Sequence, residues 1–210
     1  MAVSESEPGQ ELAGDNVAPA RQAASIVLLR GGDDTLELLL VQRTPKARFM
    51  GGVWVFPGGA VDAHEGEGDA SHRIAAVREL EEEAAVGGIA PEALVKYSQW
   101  ITPEQVAIRF DTHFFLAETP DGAEPKIDGE ECVDLGWFTP ADALRAGESG
   151  EIALVFPTIK HLEQFATFPT AAALLAHARA HDVVPVLPKV VMSGETARVL
   201  LPGEPGYDEH

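Results

Sequence analysis

The chain has 210 residues, room for one domain plus tails at roughly 150 residues per domain. Its residues are 45% hydrophobic, 23% charged and 7% aromatic, which excludes a collagen-like or wholly disordered chain. Against 15 Lys and Arg stand 34 Asp and Glu, a formal charge of −19, which argues against nucleic-acid binding or adhesion to an anionic membrane. The single cysteine, Cys132, cannot form an intrachain disulfide. The first ten residues lack the basic and apolar regions of a secretory leader, and no apolar run reaches the ~18 residues of a membrane span. A cytoplasmic protein is predicted, with neither nucleic acid nor membrane among its partners.

In chain order, residues 1–20 carry four acids, no Lys or Arg and little apolar material, so they read as a disordered acidic lead. Residues 23–30 and 36–43 are β-prone runs separated by Gly31-Gly32-Asp33-Asp34, the pattern of a hairpin. Residues 53–56 form a third run, stopped by Pro57. A helical pattern spans about 71–86, with Asp69 and Ser71 as its opening caps and Gly87-Gly88 at its close. Strands are then predicted over 96–101, 107–117 and 133–138, and helices over 140–146, 158–167 and 170–181. The order implies an α/β (α+β) sandwich with a mixed sheet, folded over 21–192 with helices at its C-terminal end. Residues 193–210 read as an acidic tail, docked in part by Val199-Leu200-Leu201.

The most informative stretch is Arg78-Glu79-Leu80-Glu81-Glu82-Glu83-Ala84-Ala85-Val86. On a helical wheel Glu79, Glu82 and Glu83 share a sector of about 100°. Ile74, Val77, Leu80 and Ala84 give an apolar face opposite them, while Ala75 and Ala76 flank the acids and leave room for a ligand. Three acids near a helix C-terminus repel one another and the macrodipole, and Arg78 alone cannot neutralise them. Hard divalent cations such as Mg²⁺ or Mn²⁺ can, since they take carboxylate oxygens and keep positions open for water and phosphate. Before the helix, Pro57-Gly58-Gly59-Ala60 supplies paired glycines, which let the backbone approach a ligand closely. No G-x-x-x-x-G-K-[ST] motif occurs, so a P-loop NTPase is excluded.

The strand, glycine loop and acidic helix resemble the Nudix hydrolases, whose signature is G-x5-E-x7-R-E-U-x-E-E-x-G-U. Gly59 followed by five residues and Glu65 matches the first half, and residues 78–86 match the second with Ala85 in the glycine place. Twelve residues instead of seven separate Glu65 from Arg78, which leaves Glu65, Glu67 or Asp69 to fill the glutamate position. The helix can end slightly later, at Gly87-Gly88.

The resemblance implies a Nudix-type α/β/α sandwich and a metal-dependent hydrolase acting on phosphoric anhydride bonds of a nucleoside diphosphate derivative. It implies Glu79, Glu82, Glu83 and the Gly58 carbonyl as metal ligands, Glu79 as the residue that steers the attacking water, and Arg78 as their orienting partner. A further glutamate from a later loop falls to Glu131 or its neighbour Glu130. Residues 42–59 resemble the coenzyme A diphosphatase branch, which points to coenzyme A or acyl-coenzyme A, with ADP-ribose or NADH and other dinucleotides as the alternative. Arg43, Lys46 and Arg48, with Gly59, are then the substrate-binding candidates, and a homodimer is the implied assembly. The insertion and Ala85 keep open a different class, a non-catalytic Nudix-fold ligand-binding regulator.

Overall fold

The computed structural model describes residues 2–3, 17–47, 50–193 and 196–209. The expected disordered lead, 1–20, therefore lies mostly outside the described residues, as does Arg48. In chain order the elements are β1 (Ala2–Val3), β2 (Arg21–Arg30), β3 (Glu37–Arg43), β4 (Trp54–Val55), β5 (Gly58–Ala60), α1 (Asp69–Ala84), β6 (Val95–Ile101), β7 (Phe110–Glu118) and β8 (Cys132–Phe138). The helices α2 (Pro140–Ser149), α3 (Phe156–Phe165) and α4 (Ala171–Ala180) follow, then β9 (Pro185–Val186), β10 (Lys189–Ser193) and β11 (Thr196–Leu200).

Eight strands form one mixed sheet in the order β4-β3-β2-β7-β6-β9, with β5 on β2 and β8 on β3. The β2–β7 and β6–β9 pairs are parallel and the others antiparallel. β2 is the spine of this sheet and is buried on both faces from Ala23 to Leu29. Ile26 and Leu28 pack toward α1 with Leu39, Phe115 and Leu80. Val27 and Leu29 pack toward α2, α3 and α4 with Trp100, Leu162 and Leu174. Each fully buried aliphatic side chain here contributes roughly 1.5–3 kcal/mol. The result is the expected α/β sandwich with a mixed sheet between helical layers.

Local chemistry explains the punctuation. Gly31 and Gly32 adopt φ of 111° and 53°, and Gly31 accepts from the Asp34 and Thr35 N–H groups, which closes the β2–β3 hairpin. Thr139 caps α2 by accepting from the Asp142 N–H, Pro140 opens its first turn, and Gly150 ends it at φ 77°. α1 starts on Gly68 rather than on Asp69 or Ser71: Ser71 Oγ instead donates to the Gly68 carbonyl at 2.7 Å.

Two expectations for α1 are corrected. Its buried face is not the Ile74/Val77 side: Ile74 is 41% exposed, whereas Ala75 and Ala76 are fully buried with Leu80 and Ala84. Small alanines let the helix lie close to β2, and that turns Glu79 and Glu83 inward to 8% and 2% exposure. The acids thus sit within the packed face, not opposite it. The helix also ends at Ala84, because Ala85 itself takes the left-handed conformation, φ 53° and ψ 31°, and its N–H bonds the Glu81 carbonyl.

Toward the C-terminus the chain forms further strands. β10 and β11 form an antiparallel hairpin, and β1 adds to it through the pairs Ala2–Arg198 and Val3–Ala197. Among the described residues no helix is long and apolar enough to cross a membrane.

Candidate active site

β5 pairs with the start of β2 in the register Gly58–Ser25 and Gly59–Ala24, which sets the glycine pair beside α1. A Cβ on Gly58 would lie 2.7 Å from the Ser25 Cα, and one on Gly59 would run into the Glu79 carboxyl. Both positions require glycine for close approach. The Gly58 N–H donates to Glu83 Oε2 at 3.0 Å. In an extended strand the N–H and C=O of one residue face the same edge, so the Gly58 carbonyl also faces the glutamates.

Arg78 is the hub of the acidic side chains. Its guanidinium donates to Glu65 Oε1 at 2.9 Å, to Glu79 Oε1 and Glu82 Oε2 at 2.8 Å each, and to the Ala60 carbonyl at 3.0 Å. Glu65, rather than Glu67 or Asp69, meets Arg78 across the insertion. It is held in turn by the Asp62 N–H at 2.6 Å in a capping box, whereas Glu67 is exposed and Asp69 pairs with Arg73. Burial opposes the charge on Glu65, but the Arg78 guanidinium and the Asp62 N–H outweigh it and hold the carboxyl below its usual range.

Glu83 is differently placed. Burial pushes its carboxyl up to about 7, and the nearby Glu79 charge adds to this. The Gly58 N–H, the Arg43 guanidinium at 3.8 Å and the Cys132 thiol oppose the shift only in part. Glu79 is also raised, first by burial and further by Glu82 and Glu131, against the lowering by Arg78. Glu82 is the exposed member, with 58% of its side chain in solvent. The structure therefore brings Glu79 and Glu83 together on the glycine strand and leaves Glu82 at the rim. Among the described residues no three His, Cys, Asp or Glu side chains stand grouped as for an ion. The donor chemistry nevertheless fits a hard cation: the carboxylate oxygens of two buried acids and a rim acid beside a strand carbonyl.

The remaining candidates converge from two loops. Glu131 lies on the turn before β8, near enough to Glu79 to raise it, and its carbonyl accepts from the Thr44 N–H at 2.7 Å. Glu130 is exposed on the same turn. Arg43 reaches Glu83, and its Nε is buried without a hydrogen-bond partner among the described residues. Lys46 is exposed on the loop that follows.

Sequence reasoning missed two supports. Asp128 accepts from the backbone N–H groups of Glu130, Glu131 and Cys132 at 3.1, 2.7 and 2.9 Å, and so shapes the turn that carries Glu131. The Asp128-Gly129 pair was a readable turn signal. Cys132 is buried and donates its thiol to Glu83; burial and that acid hold it protonated.

A profile of the NUDIX domain matches residues 19–158. The Caenorhabditis elegans protein named "Putative nudix hydrolase 7" is 30% identical over 178 residues, covering 68% of this chain and 59% of its own. "Uncharacterized Nudix hydrolase NudL" of Escherichia coli K12 is 33% identical over 124 residues, 56% of this chain and 62% of its own. The chain thus spans about three fifths of the length of these relatives. Among solved structures, a NUDIX hydrolase from Alicyclobacillus acidocaldarius superposes with a TM-score of 0.68 at 25% identity, over 77% of this chain and 97% of that one. The NUDIX domain of Shewanella oneidensis NrtR, solved with ADP ribose, shares the fold at a TM-score of 0.54 and 22% identity, over 71% and 88%. With about two thirds of its residues inside the profile and the signature acids set on the glycine strand, the chain belongs to the Nudix family.

Proposed function

We propose that this protein is a Mg²⁺- or Mn²⁺-dependent pyrophosphohydrolase that cleaves the diphosphate of a nucleoside diphosphate derivative. Coenzyme A or acyl-coenzyme A is the leading substrate, and ADP-ribose or NADH the second. The observation that carries the reading is the buried pair Glu79 and Glu83 against the Gly58-Gly59 strand, both carboxyls raised by burial although Arg78 and Arg43 stand beside them. Glu79, Glu82, Glu83 and the Gly58 carbonyl would hold the ion, whose chemistry there is to spread diphosphate charge and acidify water.

The chain's own groups do the rest. Glu79, with its raised carboxyl, accepts the proton of the attacking water, and Glu131 stands beside it as a second acceptor. Arg78 fixes the Glu79 and Glu82 carboxylates by donating to both. Arg43 offers its guanidinium charge to the substrate diphosphate, and Lys46 and Arg48, close by in sequence, take further phosphate charge. Gly59 keeps the floor clear of a side chain. The regulator reading starts from the insertion and Ala85; what speaks for the hydrolase is that Glu65 reaches Arg78 and Ala85 ends the helix.

The test is incubation with Mg²⁺ or Mn²⁺ and a panel of coenzyme A, acyl-coenzyme A, ADP-ribose, NADH and dinucleoside polyphosphates, with phosphate-bearing products resolved by chromatography. Hydrolysis of the coenzyme A compounds above the others is expected. Binding without turnover across the panel would overturn the enzymatic reading.

A further inference from the structure

The segment 126–132 spans the candidate active site from the acidic helix to the end of β3, and one carboxylate folds it. At its first foot the Lys126 N–H donates to the Ala84 carbonyl at 2.8 Å, one residue past Glu83 at the close of α1. A carbonyl in the last turn of a helix has no partner within the helix, so this foot satisfies it. At the second foot the Glu131 carbonyl accepts from the Thr44 N–H at 2.7 Å, directly after Arg43, whose guanidinium stands 3.8 Å from Glu83. Between the feet, Asp128 Oδ2 accepts from the Glu130 and Glu131 N–H groups and Oδ1 from the Cys132 N–H. Gly129, at φ 81°, closes the same turn by donating to the Cys132 carbonyl at 3.0 Å.

This turn also sets a register. β8 pairs with β3 as Asp134–Gln42, yet the next pair is Cys132–Arg43, so β8 carries Val133 as an extra residue in a bulge. In an unbulged ladder Val133 would stand opposite Arg43, and Glu131 would sit about 3.4 Å from its present place. With the bulge, Cys132 is buried against Glu83, while Val133 and Glu131 are exposed. The Asp128 carboxylate binds the N–H of Cys132, the residue at which the bulge begins. Asp128 is itself exposed and belongs to neither core cluster, so its loss loosens the turn without opening the core.

We propose that Asp128 is a positioning residue of the hydrolytic site. By folding the 126–132 segment it holds Glu131 and, through the Glu131 carbonyl and the Thr44 N–H, Arg43 at a fixed reach from the acids of α1. This rests on the hydrolase reading above and deepens it. Asp128 touches neither substrate nor ion, and its effect is carried by backbone hydrogen bonds alone.

The variants are Asp128→Ala, which removes all three acceptor contacts, and Asp128→Asn, whose single oxygen keeps part of them. The first measurement is amide hydrogen exchange by NMR on the full chain without metal. Asp128→Ala should speed exchange at the Thr44 N–H about tenfold, although Asp128 does not touch it, with Asp128→Asn in between and the β2–β7 ladder unchanged. The second is steady-state hydrolysis of the best substrate in the panel. In Asp128→Ala kcat should fall about tenfold through Glu131 and KM should rise about threefold through Arg43, with Asp128→Asn recovering part of both. Mn²⁺ affinity, read by EPR, should stay at the parent value, because the proposed ion ligands lie on α1 and β5. Unchanged Thr44 exchange, a rise shared equally by the β2–β7 ladder, or parent-like kinetics in Asp128→Ala overturns the proposal. If the parent itself hydrolyses nothing in the panel, the enzymatic reading falls, and Thr44 exchange still decides whether Asp128 governs the Arg43 end of β3.

Discussion

Ala85 occupies the position where the Nudix signature has glycine, and it adopts the glycine conformation, φ 53° and ψ 31°. A left-handed residue with a Cβ costs about 1–2 kcal/mol. Ala85 is exposed, so its methyl recovers little of that by packing. Glycine there relieves the clash but loses roughly 0.5–1 kcal/mol more chain entropy on folding. Ala85→Gly should therefore stabilise the protein by about 0.5–1 kcal/mol. For a chain of this size that corresponds to roughly 1–4 °C in Tm. The measurement is thermal and urea unfolding of parent and variant at one pH without metal, with Ala84→Gly as the control. Ala84 is helical and fully buried, so glycine there should destabilise by about 1 kcal/mol or more. If Ala85→Gly is no more stable than the parent, the left-handed cap does not carry the cost assigned to it.

The other predictions concern the acids and the glycine strand. Glu83 has a folded-state pKa of about 7 against an ordinary 4.5, so its contribution is fully present below pH 4.5 and lost as pH rises through 7. Metal-free protein should lose up to about 3 kcal/mol over that window, and Glu83→Gln should flatten the loss in urea titrations while abolishing hydrolysis. Gly59→Ala drives a methyl into the Glu79 carboxyl; a stability loss of about 1–3 kcal/mol is expected from denaturation, with hydrolysis falling further than stability explains. Arg78→Lys keeps the charge but cannot reach Glu65, Glu79, Glu82 and the Ala60 carbonyl together. A fall in kcat of at least tenfold, with KM little changed, is the expected steady-state result.

Most of the sheet and all four helices were legible because their punctuation is local: the Gly31-Gly32 turn, Thr139-Pro140 and Gly150 act within a few residues. The facing of α1 was not, because the hydrophobic pattern assumes that acids point outward. Here Ala75 and Ala76 bring the helix so close to β2 that Glu79 and Glu83 turn inward onto glycine. β5 has no strand propensity of its own; Gly58-Gly59-Ala60 becomes a strand only by pairing with β2. Glu65 could not be chosen over Glu67 and Asp69 from spacing, since the deciding contact spans 13 residues of folded chain to Arg78. The β10–β11 hairpin was readable, with Val190-Val191 and Val199-Leu200 around Ser193-Gly194, but the acidic composition of the last residues hid it.

The doubly buried β2 has a consequence for how the polypeptide reaches its shape. Its longest partner, β7, is parallel and lies about ninety positions further along the chain, so the closure entropy of a long loop precedes the reward. During synthesis Ala23–Leu29 must wait for most of the sheet to emerge, with no charge or proline inside the run to discourage pairing with another chain. Slow, chaperone-sensitive refolding is what this topology imposes, and the seven-residue run from Ala23 to Leu29 is where aggregation of a half-made molecule would begin.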